Sequence, residues 1–209
     1  MNELDYYIEY LIKNNKDSIA IFDFDYTLTY SESESSIGVF TKYLPKEYRT
    51  KKQIIDKFSN IINNKFFMMI IWKYKLNLLS KYYNKQILEK INYNKDFILN
   101  KNVLKMMKKL SDNNVETLIY SSGIKDIITN VLKSNKVMFN KSKIFANDID
   151  VDSKKINKNI ITPKNKRIKH NNYKYVILFG DKKEDLNIIK KSLKILVKDD
   201  DCIIIDRWW

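Results

Sequence analysis

Apolar positions Leu4, Tyr7, Ile8, Leu11 and Ile12 recur at helical spacing, which predicts an amphipathic helix over Leu4–Lys13 packed on a core. The pattern then changes. Ile19, Ala20, Ile21 and Phe22 leave no polar face, as in a central parallel strand covered on both sides. A polar stretch, Tyr30 to Ser36, reads as a loop. From Ile37 to about Lys109 the periodicity is helical, with no convincing strand. Pro45 punctuates a helix pair, and Lys51–Ile62, Phe66–Ser80 and Lys85–Ile91 follow as candidate helices. Asn100–Asp112 is another, with Val103, Leu104, Met107 and Leu110 on one face. Strands and helices alternate beyond it: a buried strand over Val115–Gly123, a helix over Ile124–Leu132, and a buried strand from Tyr175 to Phe179. Lys143–Asp150 and Ile156–Thr162 read as shorter strands, an edge hairpin across Asp152–Lys155, and Leu193–Val197 and Cys202–Asp206 as the final pair.

Composition narrows the class. A chain of 209 residues at 44% hydrophobic has room for one α/β domain with an insertion. The longest apolar runs, such as Phe66–Trp72, fall well short of a membrane span, and Met1–Asp5 lacks the layout of a signal peptide, so a soluble, cytoplasmic protein is expected. Cys202 is alone and excludes an intrachain disulfide or a cysteine-based zinc site. The net charge of +14 suggests nucleic acid, but Arg49, Arg167 and Arg207 are the only arginines among 39 basic residues, and the lysines are scattered. Arginine is the residue suited to bidentate reading of phosphate and guanine, so no dedicated nucleic-acid binding is expected. A basic surface still steers small anions inward.

Candidate chemistry lies at three strand ends. Asp23 and Asp25 follow the first buried strand, where alternation sends them to one side and two like charges call for a cation or a proton between them. Gly123, one of three glycines, closes the second strand just before a helix, an arrangement suited to an anion. Asp181 sits at the tip of the Tyr175 strand and Asp185 one helical turn on, so hard oxygen ligands converge as Mg²⁺ requires.

The string Asp23-Phe-Asp-Tyr-Thr-Leu-Thr29 resembles the first motif of the haloacid dehalogenase (HAD) superfamily, and Gly180-Asp-Lys-Lys-Glu-Asp185 resembles its last. The apolar strand ending at Ser121 is similar to the second motif, with Ser122 the alternative register. Asn165-Lys166 is similar to the third, as written in the cytosolic pyrimidine 5′-nucleotidase branch; Lys164 and Lys158 are alternatives. The resemblance implies a doubly wound parallel sheet, with residues 1–30 and 100–209 as the catalytic core and 31–99 as a helical cap. Roughly 70 residues exceed the dozen or so that a single crossover needs. It further implies an aspartyl-phosphate on Asp23, acid/base work by Asp25, phosphate contacts from Ser121 and Lys166, and Mg²⁺ held by Asp23, the Asp25 carbonyl, Asp181 and Asp185. Asp25 separates the superfamily's phosphatases from its dehalogenases. Lys182 departs from the Ser or Gly common at that position, and His170 is expected at the surface.

A small phosphorylated metabolite is the expected partner, with a nucleoside 5′-monophosphate the first choice, on the soft similarities of Tyr43–Tyr48, Met69–Tyr74 and Tyr120–Ile127 to the nucleotidase branch. A phosphoserine-phosphatase-like hydrolase is the second, with Arg49, Glu32, Glu34 and Glu47 available for an amino-acid head group. A catalytically idle relative that binds a protein or RNA is the third, and four retained carboxylates weigh against it.

Overall fold

The computed structural model describes residues 2–61, 65–156, 160–162 and 172–207. Its centre is a six-stranded sheet of order β3-β2-β1-β4-β5-β6. The strands are β1 (Ser18–Phe22), β2 (Glu116–Ile124), β3 (Ile144–Asn147), β4 (Tyr175–Gly180), β5 (Leu193–Lys198) and β6 (Asp201–Asp206). β1 pairs in parallel with both β2 and β4, and every residue of β1 and β4 is buried. That burial on two faces explains the unbroken apolar runs. Phe22 and Phe179 stack across the β1/β4 seam with ring centroids 4.5 Å apart.

The sheet is parallel from β3 to β5, and the edge strand β6 runs antiparallel to β5. Only Asp199 and Asp200 link the two strands, with Asp199 at φ 51°, and two residues suffice to reverse a chain but not to cross a sheet. The expected hairpin near residue 150 is also reduced. β3 stops at Asn147, and one antiparallel bridge joins Ile149 to Ile156, residues 157–159 lying outside the described set. Asn147 replaces a ladder there: its amide donates to the Ile161 carbonyl at 2.9 Å and its Oδ1 accepts from the Ile161 N–H at 2.9 Å.

Helices cover both faces. α1 (Glu3–Lys13) opens with a capping box between Asn2 and Asp5. It packs Ile8 and Leu11 into the main core, beside Val103, Met107 and Leu110 of α6 (Lys101–Asp112). α7 (Lys125–Ser134) adds Ile127, Ile128, Val131 and Leu132. On the opposite face, Leu186 of α8 (Lys183–Leu186) and Ile189 cover Ile19, Ile21, Val176 and Leu178.

Between β1 and α6 lie α2 (Ser36–Lys42), α3 (Lys46–Ile61), α4 (Lys65–Ser80) and α5 (Lys85–Lys90). α3 begins directly after Pro45 and not at Lys51, because proline's fixed φ suits the residue that leads into a helix. The chain enters and leaves this helical segment at one place. The Asn100 N–H donates to the Leu28 carbonyl at 2.9 Å, the Tyr30 N–H donates to the Ile98 carbonyl at 2.9 Å, and Thr29 bridges Leu99. Along α4 the long apolar run splits: Leu76 and Leu79 are buried, whereas Phe66, Phe67, Ile70 and Tyr74 are exposed. Among the described residues, no helix is long and apolar enough to cross a membrane.

Ile177 is fully buried at the sheet centre. Ile177→Ala should lower stability by about 2–5 kcal/mol through lost burial and the cavity left behind, read from urea denaturation with an unchanged slope.

Candidate active site

The sheet reverses its winding at β1, since β2 follows on one side and β4 on the other, and side chains just past the strand ends meet in the resulting crevice. Asp23 is the first residue beyond β1. Its N–H donates to the Phe179 carbonyl at 2.9 Å, which extends the β1/β4 ladder by one step and fixes where the carboxylate emerges. The Phe24 N–H donates to its Oδ1 at 2.8 Å.

The strand does not continue to Asp25, so alternation is not what places that residue. The chain turns tightly, with Thr27, Leu28 and Thr29 N–H groups all donating to the Phe24 carbonyl and Tyr26 at φ 63°. Asp25 is instead held by the first residue of α2. The Ser36 N–H donates to Oδ1 at 2.7 Å, and the Ser36 hydroxyl donates to Oδ2 at 3.0 Å. Gly123 makes this possible, because a Cβ there would lie 2.2 Å from the Ser36 Oγ and 3.2 Å from Asp25 Oδ2. The rare glycine therefore permits close approach of β2 and α2. Thr27, next in the motif, is fully buried, and its hydroxyl has no partner among the described residues.

Asp181 lies at the tip of β4 and Asp185 in the short α8, which folds back closely: a Cβ on Gly180 would sit 3.0 Å from the Asp185 Cβ. Carboxylate oxygens of Asp23, Asp181 and Asp185 all fall within 4.8 Å of one another. Burial, aided by the field of Asp23, pushes the Asp181 carboxyl above its ordinary range, against the opposing pull of Lys182 and a hydrogen bond with Asp185. Three crowded, poorly hydrated carboxylates are costly unless a cation joins them, and an all-oxygen donor set fits a hard divalent ion. This triad can bind a metal.

The four acids share a cavity of about 390 Å³, also lined by Tyr26, Ser35, Ile37, Ser122 and Lys182, and by Lys52, Trp72 and Lys75 of the helical segment. A larger cavity, about 730 Å³, lies between α1, α6 and β6 and contains none of the four. Ser121 is nearly fully buried, its Oγ accepting from the Gly123 N–H at 3.0 Å, while Ser122 is the neighbour that reaches the cavity wall. Lys158, Lys164, Lys166 and His170 lie outside the described residues.

Sequence reasoning passed over Ser36, Lys52 and Lys75. Lys52 and Asp56 stand four apart on α3 and form an ion pair of 3.0 Å, a spacing visible in the sequence. Lys75 comes to the same Asp56 from α4, a pairing of distant residues that no local spacing announces.

This acidic crevice opens at the strand ends of a mostly parallel α/β sheet. The profile of the family "Pyrimidine 5′-nucleotidase (UMPH-1)" matches residues 13–201, and the chain belongs to that family. The fold is shared with the crystal structure of cytosolic 5′-nucleotidase IIIB bound to cytidine, at a TM-score of 0.70 and 18% identity over 92% of this chain and 77% of that one. A HAD-family hydrolase from Salmonella enterica serovar Typhi follows, with a TM-score of 0.58 and 17% identity over 90% of this chain and 68% of that one. No curated protein matches the chain by sequence. That family and the shared fold support a HAD-type phosphatase.

Without metal, the raised Asp181 carboxyl favours the native state below its unfolded value near pH 3.8, a contribution lost as pH rises through the higher folded value. Mg²⁺ should therefore raise the melting temperature at neutral pH, by the equivalent of about 2.7 kcal/mol at about 100 times Kd. Asp181→Asn should match or exceed the wild type in metal-free stability and lose most of the Mg²⁺ shift. Differential scanning fluorimetry with Mg²⁺ and with chelator reads both.

Proposed function

We propose that the protein is a Mg²⁺-dependent phosphomonoesterase acting on nucleoside 5′-monophosphates through an aspartyl-phosphate on Asp23. The observation that carries this reading is the meeting of Asp23, Asp25, Asp181 and Asp185 in one cavity beneath Trp72 and Lys75. Residues 31–99 act as a cap over a core of 1–30 and 100–209, which the side-by-side entry and exit strands near Thr29 and Leu99 support. A cytoplasmic setting suits such a substrate.

Asp23, Asp181, Asp185 and the Asp25 carbonyl would hold Mg²⁺, which would supply the charge neutralisation that lets one anion approach another. Asp23 attacks phosphorus through a carboxylate oxygen, and the ester P–O bond breaks as the leaving oxygen takes a proton from Asp25. Water then attacks the aspartyl-phosphate, Asp25 takes its proton, and the Asp23–phosphorus bond breaks to release phosphate. Ser36 steadies Asp25 throughout, since a hydroxyl donates to a carboxylate and accepts from a carboxylic acid. In this scheme the Ser121 hydroxyl donates to a phosphate oxygen and Lys166 neutralises the phosphate charge, while the Ser121 Oγ accepts from the Gly123 N–H.

The nucleotide is preferred over phosphoserine on one ground. Arg49 is exposed, and Glu34 and Glu47 pair with Lys42 and Lys51, so none of these lines the cavity as an amino-acid clamp would. A panel of nucleoside monophosphates and phosphoserine, with and without Mg²⁺, tests the substrate directly; faster turnover of phosphoserine would overturn the choice.

Asp23→Asn should abolish phosphatase turnover while leaving the fold as stable or slightly more so, because a crowded charge is removed. Substantial Mg²⁺-dependent activity in that variant would remove Asp23 from the nucleophile's role.

Lys166→Ala should cost on the order of 10²-fold or more in rate and Lys164→Ala little. Steady-state rates on one phosphate ester at matched Mg²⁺ decide between the two lysines, and the reverse order would shift the third motif by two residues.

A further inference from the structure

The cavity is electrically two-ended. Its floor carries the four carboxylates, and the wall given by α3 and α4 carries Lys52, Lys75 and Trp72. Lys75 is buried, its ammonium bonded to Asp56 Oδ1 and 5.1 Å from the centre of the Trp72 ring. Lys52 pairs with the other oxygen of Asp56 at 3.0 Å. Burial works against the Asp56 charge, but the hydrogen bonds and fields of the two lysines prevail and hold its carboxyl below the ordinary range. Two ammonium groups thus share one carboxylate, leaving a net positive charge among the described side chains of a partly desolvated wall. Trp72 adds an indole N–H that is buried without a partner among the described residues.

We infer that this Lys52–Asp56–Lys75 cluster with Trp72 is a selectivity wall for the leaving group, admitting neutral or anionic groups rich in hydrogen-bond acceptors and rejecting those that carry an ammonium. The inference rests on the phosphatase reading of the floor and extends it to the alcohol part of the ester. With the phosphoryl group and its cation on the floor, the rest of the substrate points away from the carboxylates and toward the lysines. An ammonium there meets like charge at reduced dielectric, and the nearby Asp56 carboxylate already faces two lysines. A carbonyl, ring nitrogen or carboxylate meets donors. Lysine ammoniums hold three donors each, so pairing with Asp56 does not exhaust them. Asp56 also fixes where the two charges sit, which makes it a positioning residue.

The test uses the full chain with Mg²⁺ and two esters of equal length and leaving-group type, hydroxybutyl phosphate and aminobutyl phosphate. The hydroxyl ester should have a kcat/KM about ten-fold or more above the ammonium ester, the preference falling as salt screens the wall. Lys75→Gln and Lys52→Gln should each narrow that ratio, and Asp56→Asn should widen it by unmasking a second positive charge. Equal kcat/KM for the two esters in the wild type, or a ratio that neither lysine variant moves, would overturn the inference. Hydrolysis of p-nitrophenyl phosphate separates the two levels. If it proceeds while the ester pair is not discriminated, the wall alone is wrong; if the wild type fails on it, the phosphatase reading falls and takes the wall with it. Should Lys75→Gln fail to fold, judged by circular dichroism, Lys52→Gln and Asp56→Asn still give opposite expected signs.

Discussion

The convergence of carboxylates at the ends of β1 and β4 is the constraint on which the rest depends. Like charges within 4.8 Å of one another oppose folding unless a rigid scaffold holds them and a cation offsets them. The scaffold here is the β1/β4 seam, buried on both faces, stacked at Phe22 and Phe179, and extended one hydrogen bond further to Asp23. Burial that steadies the seam also raises the Asp181 carboxyl. Stability of the sheet and strain at its tip thus have one origin.

Small residues let the scaffold close. Gly180 admits α8 and its Asp185, and Gly123 admits the first turn of α2 and its Ser36, so the acids on the floor are positioned by backbone approach more than by their own neighbours. Asn147 continues this pattern, since its amide also donates to the Ser122 carbonyl at 2.6 Å and ties that cavity wall to the chain at Ile161. The helical segment joins the sheet domain through the paired backbone at Thr29 and Leu99, through Ser36 against Asp25 and Gly123, and through the Tyr83 hydroxyl, which donates to Asp126. From α3 and α4, Lys52, Trp72 and Lys75 reach the same cavity as the four acids.

Much of this was legible along the chain. Unbroken apolar runs marked β1 and β4, because strands covered on both faces have no polar side to show, and the mixed run Val115–Gly123 marked β2, whose burial alternates. Aspartates at the ends of two of those runs, and glycine at the end of the third, marked the crevice, since chemistry in such sheets collects at the carboxyl ends of strands. Helical periodicity over residues 37–109 announced the insertion. Local spacing also contained Lys52 and Asp56, although nothing local gave the pair a function.

Tertiary structure alone decided the rest, where residues far apart in sequence meet. Asp25 owes its place to Ser36 and not to strand alternation, because the chain leaves the sheet at Phe22. β6 reverses direction because two residues span the turn, a matter of reach that apolar patterning cannot express. Ser122 lines the shared cavity, while Ser121 is buried on the Gly123 side of β2, where a Cβ on Gly123 would lie 3.2 Å from both the Ser121 Oγ and Asp25 Oδ2. Lys75 meets Asp56 only when α3 and α4 pack together. Sequence alone determined which groups are available and which strand ends bear them, because burial leaves a local imprint; the fold decided which of them touch, because contact depends on distances through space that no spacing along the chain encodes.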